Sequence, residues 1–178
     1  VARAMVTRFD SPLQPGDAFV AWGPLFHMVS TDSVYGTLMH GGKVIVMDGL
    51  DVPKLVQVAA REMVGHFTLM PGMVDRVIEE IERTGLKPKG ARTIGAMADL
   101  VPLDQIAKVT RLFGAPYKNS FGSTETGGPP AGRGVIPIGV IPERLSKLQN
   151  SFCEIRLVDE EDNEVPDGQP GELAFRGP

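Results

Sequence analysis

The strongest constraint on the fold is an alternation between short strand-like segments and longer segments whose apolar residues recur at helical spacing. Segments at 19–22, 43–47, 66–69, 92–95 and 116–121 predict five strands, of which the first two are largely apolar. The segments between them predict amphipathic helices of about 10 to 14 residues. This alternation is typical of a doubly wound, mostly parallel sheet, so the sequence predicts an α/β fold.

Several residues make this prediction more specific. The run 43–47 is apolar and β-branched, which predicts a strand that is covered on both faces. A helix is predicted from Ser30 to His40, and Asp51 is expected to cap the helix that follows next in the chain. Pro71 suits the first turn of a further helix, which Gly85 should end.

The character of the chain changes near Gly132, inside a passage rich in proline and glycine at 129–142. Two alternating runs follow, at 152–158 and 172–176, and a turn separates them. Alternation with intervening turns predicts antiparallel pairing, and therefore a second, β-rich subdomain. The predicted division is an N-terminal cut end and loop at 1–18, an α/β subdomain at 19–142, and the start of the β-rich subdomain at 143–178.

Bulk composition restricts the class of protein. With 42% hydrophobic and 22% charged residues in 178, the chain has the composition of an ordinary globular protein. A net charge of −4 without a basic cluster argues against a nucleic-acid partner. No apolar run has the length of a transmembrane segment, and the single cysteine, Cys153, permits no internal disulfide. A cytoplasmic location is the expectation.

The stretch from Asn119 to Gly128 concentrates groups that suit a bound phosphate. Gly122 allows a close approach of the backbone, and the Thr124 hydroxyl can donate a hydrogen bond to a phosphate oxygen. Glu125 is a hard oxygen ligand of the kind that Mg²⁺ prefers. On composition alone the same residues also fit an ordinary surface turn.

Residues 121–125, Phe-Gly-Ser-Thr-Glu, resemble the signature of the adenylate-forming superfamily, which includes acyl-CoA synthetases, luciferases and peptide-synthetase adenylation domains. The family pattern is an aromatic residue, Gly, any residue, Thr and Glu. Two further matches stand in the expected order: Pro-Leu-Phe-His at 24–27, and Gly-Glu-Leu at 171–173 with Arg-Gly at 176–177. The resemblance runs from about Phe19 to the last residue and is greatest to the fatty-acyl-CoA synthetases.

The resemblance implies a reaction in two halves. ATP and a small carboxylic acid give an acyl-adenylate and pyrophosphate, and the thiol of coenzyme A then displaces AMP. It implies catalytic roles for His27 beside the acid and the thiol channel, for Thr124 at the α-phosphate, and for Glu125 as ligand of Mg²⁺. It also implies an AMP site in two parts, made by Gly95, Ala96, Met97 and Ala98 and by Asn119, Ser120, Phe121, Gly122, Ser123 and Thr124.

The sequence departs from the family at several points. Met97 stands where Gly is common, which puts the length of the acid chain in question, and Phe121 replaces the more frequent Tyr. The family's phosphate loop, ribose-binding Asp and C-terminal catalytic Lys have no counterpart here. The chain is therefore interpreted as an enzyme without its N- and C-terminal segments, inactive by itself.

Three other possibilities stay open at this point, and one of them is a purely structural fragment with a degenerate site. An aryl or amino-acid adenylation domain that feeds a carrier protein would share the nucleotide motif, and Asp32 is close enough to the 24–27 motif to hold an amine. A nucleotide-binding module without catalysis would keep the ring of Phe121 and the close backbone approach at Gly122.

Overall fold

The computed structural model describes Met5 and residues 9–177. The loop predicted at 1–18 therefore lies partly outside the described residues. The elements, in chain order, are β1 (Ala18–Ala21), α1 (Met28–Met39), β2 (Lys43–Val46), α2 (Val52–Arg61), β3 (Val64–Phe67), α3 (Val74–Thr84), β4 (Ala91–Ile94), α4 (Leu103–Phe113), β5 (Tyr117–Lys118), β6 (Phe121–Ser123), β7 (Gly127–Ala131), β8 (Val135–Ile136), β9 (Glu154–Val158) and β10 (Glu172–Arg176).

The strands of the main sheet lie in the order β2-β1-β3-β4-β5-β8. Neighbours from β2 through β5 are parallel, whereas β8 runs antiparallel to β5. The chain passes from β1 outward to β2 and then returns across β1 to β3, so the direction of winding reverses between β1 and β3. Right-handed crossovers then put α1 on one face of the sheet and α2 to α4 on the other. The predicted doubly wound, mostly parallel α/β fold is confirmed.

The helices form where their caps and apolar stripes predict them. Lys54 N donates to Asp51 Oδ1 over 3.0 Å, which confirms the predicted cap of α2. Gly85 ends α3 in a left-handed conformation with φ of 68°, again as predicted. The core between these helices and the sheet includes the Phe67 and Phe113 rings, whose centroids are 4.8 Å apart. Each large apolar side chain buried here contributes about 1.5 to 3 kcal/mol to stability.

The prediction that residues 43–47 form a strand covered on both faces is wrong. The strand is present as β2, but Lys43 is exposed and the Val46 side chain is 64% exposed. β2 is an edge strand of the main sheet, so it pairs with a neighbouring strand on one side only. An apolar β-branched run therefore identified the strand correctly without identifying its place in the sheet.

Two local predictions also need correction. The strand predicted at 116–121 is divided into β5 and β6. The bonds from Asn119 N to Gly134 O at 3.2 Å and from Ser120 N to Ala96 O at 2.7 Å keep the chain beside β8 and β4, whereas Phe121 pairs with Ala131 in a separate sheet. Pro71 lies in the turn before α3 rather than in its first helical turn.

The remaining strands form two small antiparallel sheets. β6 pairs with β7, and β9 pairs with β10 from Glu154 opposite Arg176 to Val158 opposite Glu172. The antiparallel pairing predicted near the C-terminus is confirmed, while the division into subdomains at 142/143 stays a prediction. None of the helices in the described part of the chain is both long enough and apolar enough to cross a membrane.

Candidate functional site

The stretch that carries the family signature folds into a tight hairpin between β6 and β7. Ser123 N donates to Thr126 Oγ1 over 3.1 Å, and Thr126 N donates back to Ser123 Oγ over 3.3 Å. These reciprocal bonds close a turn in which Thr124 and Glu125 are exposed at the tip. A hydroxyl and a carboxylate are thus presented on a fixed turn rather than on a loose loop.

The Glu125 carboxyl is set up to be ionised. A hydrogen bond from the Ser123 side chain, followed by the backbone N–H of Glu125 itself, holds the pKa of this carboxyl below its usual range. Among the described residues, no group of three or more His, Cys, Asp or Glu side chains could hold a metal ion.

The second predicted part of the site, residues 95–98, is bonded directly to the residues before the hairpin. Ser120 N and Ser120 Oγ both donate to Ala96 O, each over 2.7 Å. Ala98 N donates to Asn119 Oδ1 over 3.2 Å, and Asn119 is 2% exposed. Residues 95–98 and 119–120, which are more than twenty positions apart in the chain, therefore form one continuous surface, the wall of the candidate site. The polar side-chain atoms of Asn119 and Ser120 bond to protein groups, so these two residues shape the wall.

Tyr117 supports the same wall from behind. Burial raises the pKa of Tyr117 to about 12, so its hydroxyl stays protonated, and it donates to Met97 O over 3.2 Å. Gly95 crosses the face of this ring with φ of 86°. A Cβ at Gly95 would overlap the Tyr117 ring, so only glycine fits this position.

The aromatic ring predicted to stack on the base is accessible. Phe121 is 43% exposed, and its backbone pairs with Ala131 across β6 and β7. The neighbouring Gly122 is exposed as well. A flat ligand that approaches this edge of the hairpin would meet the ring without rearrangement of the core.

His27 caps α1, a role that the sequence did not predict. Val29 N donates to His27 Nδ1 over 3.3 Å, so Nδ1 carries no proton in this arrangement and the neutral ring carries its proton on Nε2. The side chain is exposed, and α1 packs beside β1, β2 and β7. The helix that carries His27 therefore contacts the hairpin that carries Thr124 and Glu125.

The topological switch point of the sheet, where the direction of the crossover connections reverses, lies between the carboxyl ends of β1 and β3. Open α/β sheets bind ligands at such a position. Trp22 Nε1 donates to Thr68 O over 3.2 Å across the two strand ends. The Thr68 hydroxyl is buried and has no hydrogen-bond partner in the described residues, which is unusual for a buried polar group. Sequence reasoning missed both residues, because strand order was needed to bring them together.

An ion pair closes the wall on its other side. Lys147 Nζ donates to Asp99 Oδ1 over 2.8 Å and to Asp99 Oδ2 over 2.7 Å. These hydrogen bonds, together with the positive charge of Lys147, hold the pKa of the Asp99 carboxyl below its usual range. Asn119 Nδ2 donates to Leu145 O over 3.0 Å in the same segment. No local pattern in the sequence predicts these long-range contacts.

The doubly wound, mostly parallel α/β fold matches that of the adenylate-forming superfamily. A family model described as AMP-binding enzyme matches residues 1–178, so the chain belongs to that family. The chain is 28% identical over 152 residues to pyochelin synthase PchD of Pseudomonas aeruginosa strain UCBPP-PA14, which covers 82% of this chain and 26% of that protein. It is 26% identical over 181 residues to a long-chain-fatty-acid–CoA ligase of Escherichia coli O6:H1, which covers 93% of this chain and 30% of that protein.

Solved structures share the fold. O-succinylbenzoate coenzyme A synthetase (MenE) from Bacillus subtilis, in complex with AMP, superposes with a TM-score of 0.75 at 20% identity. The alignment covers 98% of this chain and 43% of that chain. The chain thus spans less than half of the proteins that it matches.

Proposed function

We propose that this chain is the central part of an ATP-dependent acyl-CoA synthetase, which joins a carboxylic acid to coenzyme A through an acyl-adenylate. The observation that carries the proposal is the set of hydrogen bonds that joins Ala96 and Ala98 to Ser120 and Asn119. Ser120 leads directly into the hairpin that presents Thr124 and Glu125. The exposed groups of the hairpin and the 95–98 segment then lie in one connected site. These groups are the Thr124 hydroxyl, the Glu125 carboxylate, the Phe121 ring and the backbone at Gly122. We further propose a role in fatty acid metabolism and a cytoplasmic location.

In this proposal the nucleotide lies against the wall. The base stacks on Phe121 and lies along Ala96 and Met97, the partly exposed residues of the 95–98 segment, whereas Gly95 and Ala98 are buried. The Thr124 hydroxyl donates to an oxygen of the α-phosphate. Glu125 suits a Mg²⁺ ion whose other ligands are water molecules and phosphate oxygens, because the carboxylate is exposed and ionised. When bound, Mg²⁺ neutralises charge that develops on the phosphate oxygens.

The carboxylic acid is proposed to enter at the reversal point between β1 and β3. The Trp22 side chain is partly exposed at this point and offers apolar surface to the acid. His27 is proposed to orient the acid, because its Nε2–H is available while Nδ1 caps α1. The thiol of coenzyme A would then approach the same carbonyl carbon and displace AMP.

Full activity is proposed to need further segments of the same enzyme. Residues 1–178 contain no sequence like the family's phosphate loop or its C-terminal lysine. Without a lysine-bearing loop, the β- and γ-phosphates would lack a clamp and the acid would be poorly oriented. The chain by itself is therefore expected to give no acid-dependent exchange of pyrophosphate into ATP.

The test is acid-dependent ATP–pyrophosphate exchange by the full-length protein, with a panel of fatty, aromatic and amino acids, followed by transfer to coenzyme A. Exchange with fatty acids and formation of an acyl-CoA supports the proposal. Exchange with an aryl or amino acid and transfer only to a carrier protein favours an adenylation domain. AMP binding without exchange for any acid favours a non-catalytic nucleotide-binding module.

The Phe121→Ala variant is expected to weaken the binding of ATP and of AMP alike. Loss of one stacked ring typically costs about 1 to 3 kcal/mol, so both dissociation constants should rise by about 5- to 150-fold. Isothermal titration calorimetry with each nucleotide measures this. Phe121→Tyr is the control and should bind as the parent protein does. Unchanged AMP affinity in Phe121→Ala would show that the ring does not stack on the base.

The His27→Ala variant is expected to slow both half-reactions by about 10- to 100-fold, because a hydrogen bond to a charged group is lost. Alanine also removes the cap of α1, which costs about 1 kcal/mol in stability. His27→Asn separates these effects, since asparagine can cap a helix but has no imidazole. Rapid-quench measurements of adenylate formation and of thiol transfer should find both variants slow. Full activity in His27→Asn would assign the residue to capping alone.

A further inference from the structure

The nucleotide hairpin is supported from behind by residues 145–151, a segment that no motif identifies. Strand β7 has β6 along one edge and this segment along the other. Backbone bonds and a bridge make the second edge: Asn150 N to Pro130 O at 3.2 Å, Arg133 N to Leu148 O at 3.3 Å, and Ala131 opposite Gln149. The segment thus fixes the strand whose other edge carries Phe121.

The Asn150 side chain makes the closest connection in this segment. Its Oδ1 accepts from Gly132 N, while its Nδ2 donates to Asp10 Oδ2 over 2.9 Å. Asn150 is 5% exposed, so these bonds are largely shielded from water. With its backbone N bonded to Pro130 O, Asn150 holds the chain on both sides of Ala131, the residue that pairs with Phe121.

Asp10 is itself held firmly. Its carboxylate accepts from Ser151 N over 2.7 Å and from Ser151 Oγ over 2.8 Å. Burial alone would raise the pKa of the Asp10 carboxyl, but the hydrogen bonds from Ser151 and Asn150 lower the pKa overall.

The adjoining Phe152 adopts φ of 60°, which is rare for a bulky residue, and its ring centroid lies 5.2 Å from that of Phe9. An unfavourable backbone conformation persists only where its surroundings determine it.

We propose that Asn150 is a positioning residue for the nucleotide site, which holds Phe121 in place through Gly132 and Ala131 and is itself anchored by Asp10. The proposal rests on the proposed function, because it assumes that Phe121 contacts the nucleotide. An amide suits the position because it offers an acceptor to Gly132 N and a donor to Asp10 at the same time.

The test is a reversal of the Asp10–Asn150 pair in the full-length protein. Asn150→Asp keeps an acceptor for Gly132 N but puts a second carboxylate against Asp10, so the two charges repel. The dissociation constant for AMP is expected to rise about tenfold at pH 7.5, a change of about 1.4 kcal/mol. In the double variant Asp10→Asn with Asn150→Asp, the amide of residue 10 donates to the new carboxylate and its oxygen accepts from Ser151 Oγ, but the bond from Ser151 N to Asp10 Oδ2 is lost. The constant should therefore recover in part, to a value between those of Asn150→Asp and the parent protein.

A pH series gives a readout that simple destabilisation would not produce. In Asn150→Asp the two carboxylates can share one proton as the pH falls, so AMP affinity should recover toward the parent value between pH 7.5 and pH 5.5. Asn163→Asp is the matched control. It makes the same chemical change beside Asp159, which accepts from Asn163 N over 2.8 Å in an exposed turn. Its AMP affinity should equal that of the parent protein at every pH.

The outcomes separate this inference from the function on which it rests. If the parent protein binds no AMP, the proposed function and the inference both fail. If the parent binds AMP and Asn150→Asp binds it equally well, or only unfolds at lower temperature with unchanged affinity, the positioning role alone is wrong. If Asn150→Asp does not fold, the double variant decides: folding with AMP affinity within about tenfold of the parent value supports the proposal, and a folded double variant with no AMP binding overturns it.

Discussion

The Glu125→Gln variant of the full-length protein is expected to form acyl-adenylate about 100- to 1000-fold more slowly than the parent protein. Glutamine keeps the size of the side chain and removes the charge, so on the proposed function Mg²⁺ would lose its carboxylate ligand as charge builds at phosphorus. The KM for ATP should change much less, because the base and the wall still bind. Single-turnover measurements at saturating ATP and acid give the rate directly.

The control for this change is Glu160→Gln, which removes an exposed carboxylate in the turn after β9. Its rate of adenylate formation should equal that of the parent protein. Because the pKa of Glu125 is already held low, the difference between parent and Glu125→Gln should persist through the neutral pH range. An unchanged rate in Glu125→Gln at saturating Mg²⁺ would remove Glu125 from the reaction.

The Gly95→Ala variant is expected to be strongly destabilised. The position has φ of 86°, and the new methyl group would overlap the buried Tyr117 ring, which cannot move without disturbing the core. A left-handed conformation for alanine costs about 1 to 2 kcal/mol, and overpacking adds about 1 to 3 kcal/mol. The free energy of unfolding, measured with urea, should therefore fall by about 2 to 5 kcal/mol.

Gly168→Ala isolates the backbone contribution. Gly168 has φ of 83°, but a Cβ there would have no atom within 4 Å. Its cost should be limited to about 1 to 2 kcal/mol. Equal costs for the two variants would show that Tyr117 does not press against residue 95, and the support described for this wall would be wrong. Gly95→Ala should also weaken AMP binding, whereas Gly168→Ala should leave it unchanged.

The sequence predicted the main sheet well because its signals are local. The Asp51 cap, the apolar stripe of α2 and the left-handed Gly85 each depend on residues within a few positions of one another. The order of strands is a global property, and so the exposed Val46 of β2 was missed. The same limit hid the reversal point, where Trp22 meets Thr68 across 46 positions in the chain.

The sequence predicted the two segments of the candidate site but not the residues that hold these segments in place. The motif at 121–125 and the small residues at 95–98 were both recognised, and the structure brings the two segments together through Ser120 and Asn119. Glycine, serine and threonine indicated a loop, so the hairpin was missed. The Ser-x-x-Thr spacing at 123–126 could have indicated its reciprocal hydrogen bonds. Supports such as Lys147 and Asn150 act over long sequence separations and leave no local pattern.

Residues 95–98 and 119–125 are proposed to form one nucleotide site. Photolabelling of the full-length protein with 8-azido-AMP, followed by peptide mass spectrometry, tests this proposal most directly because the reactive group is on the base itself. We predict label on peptides from both segments, with Phe121 or its neighbours among the modified residues, and loss of both labels when excess AMP competes. Competed label confined to other parts of the chain would contradict the account.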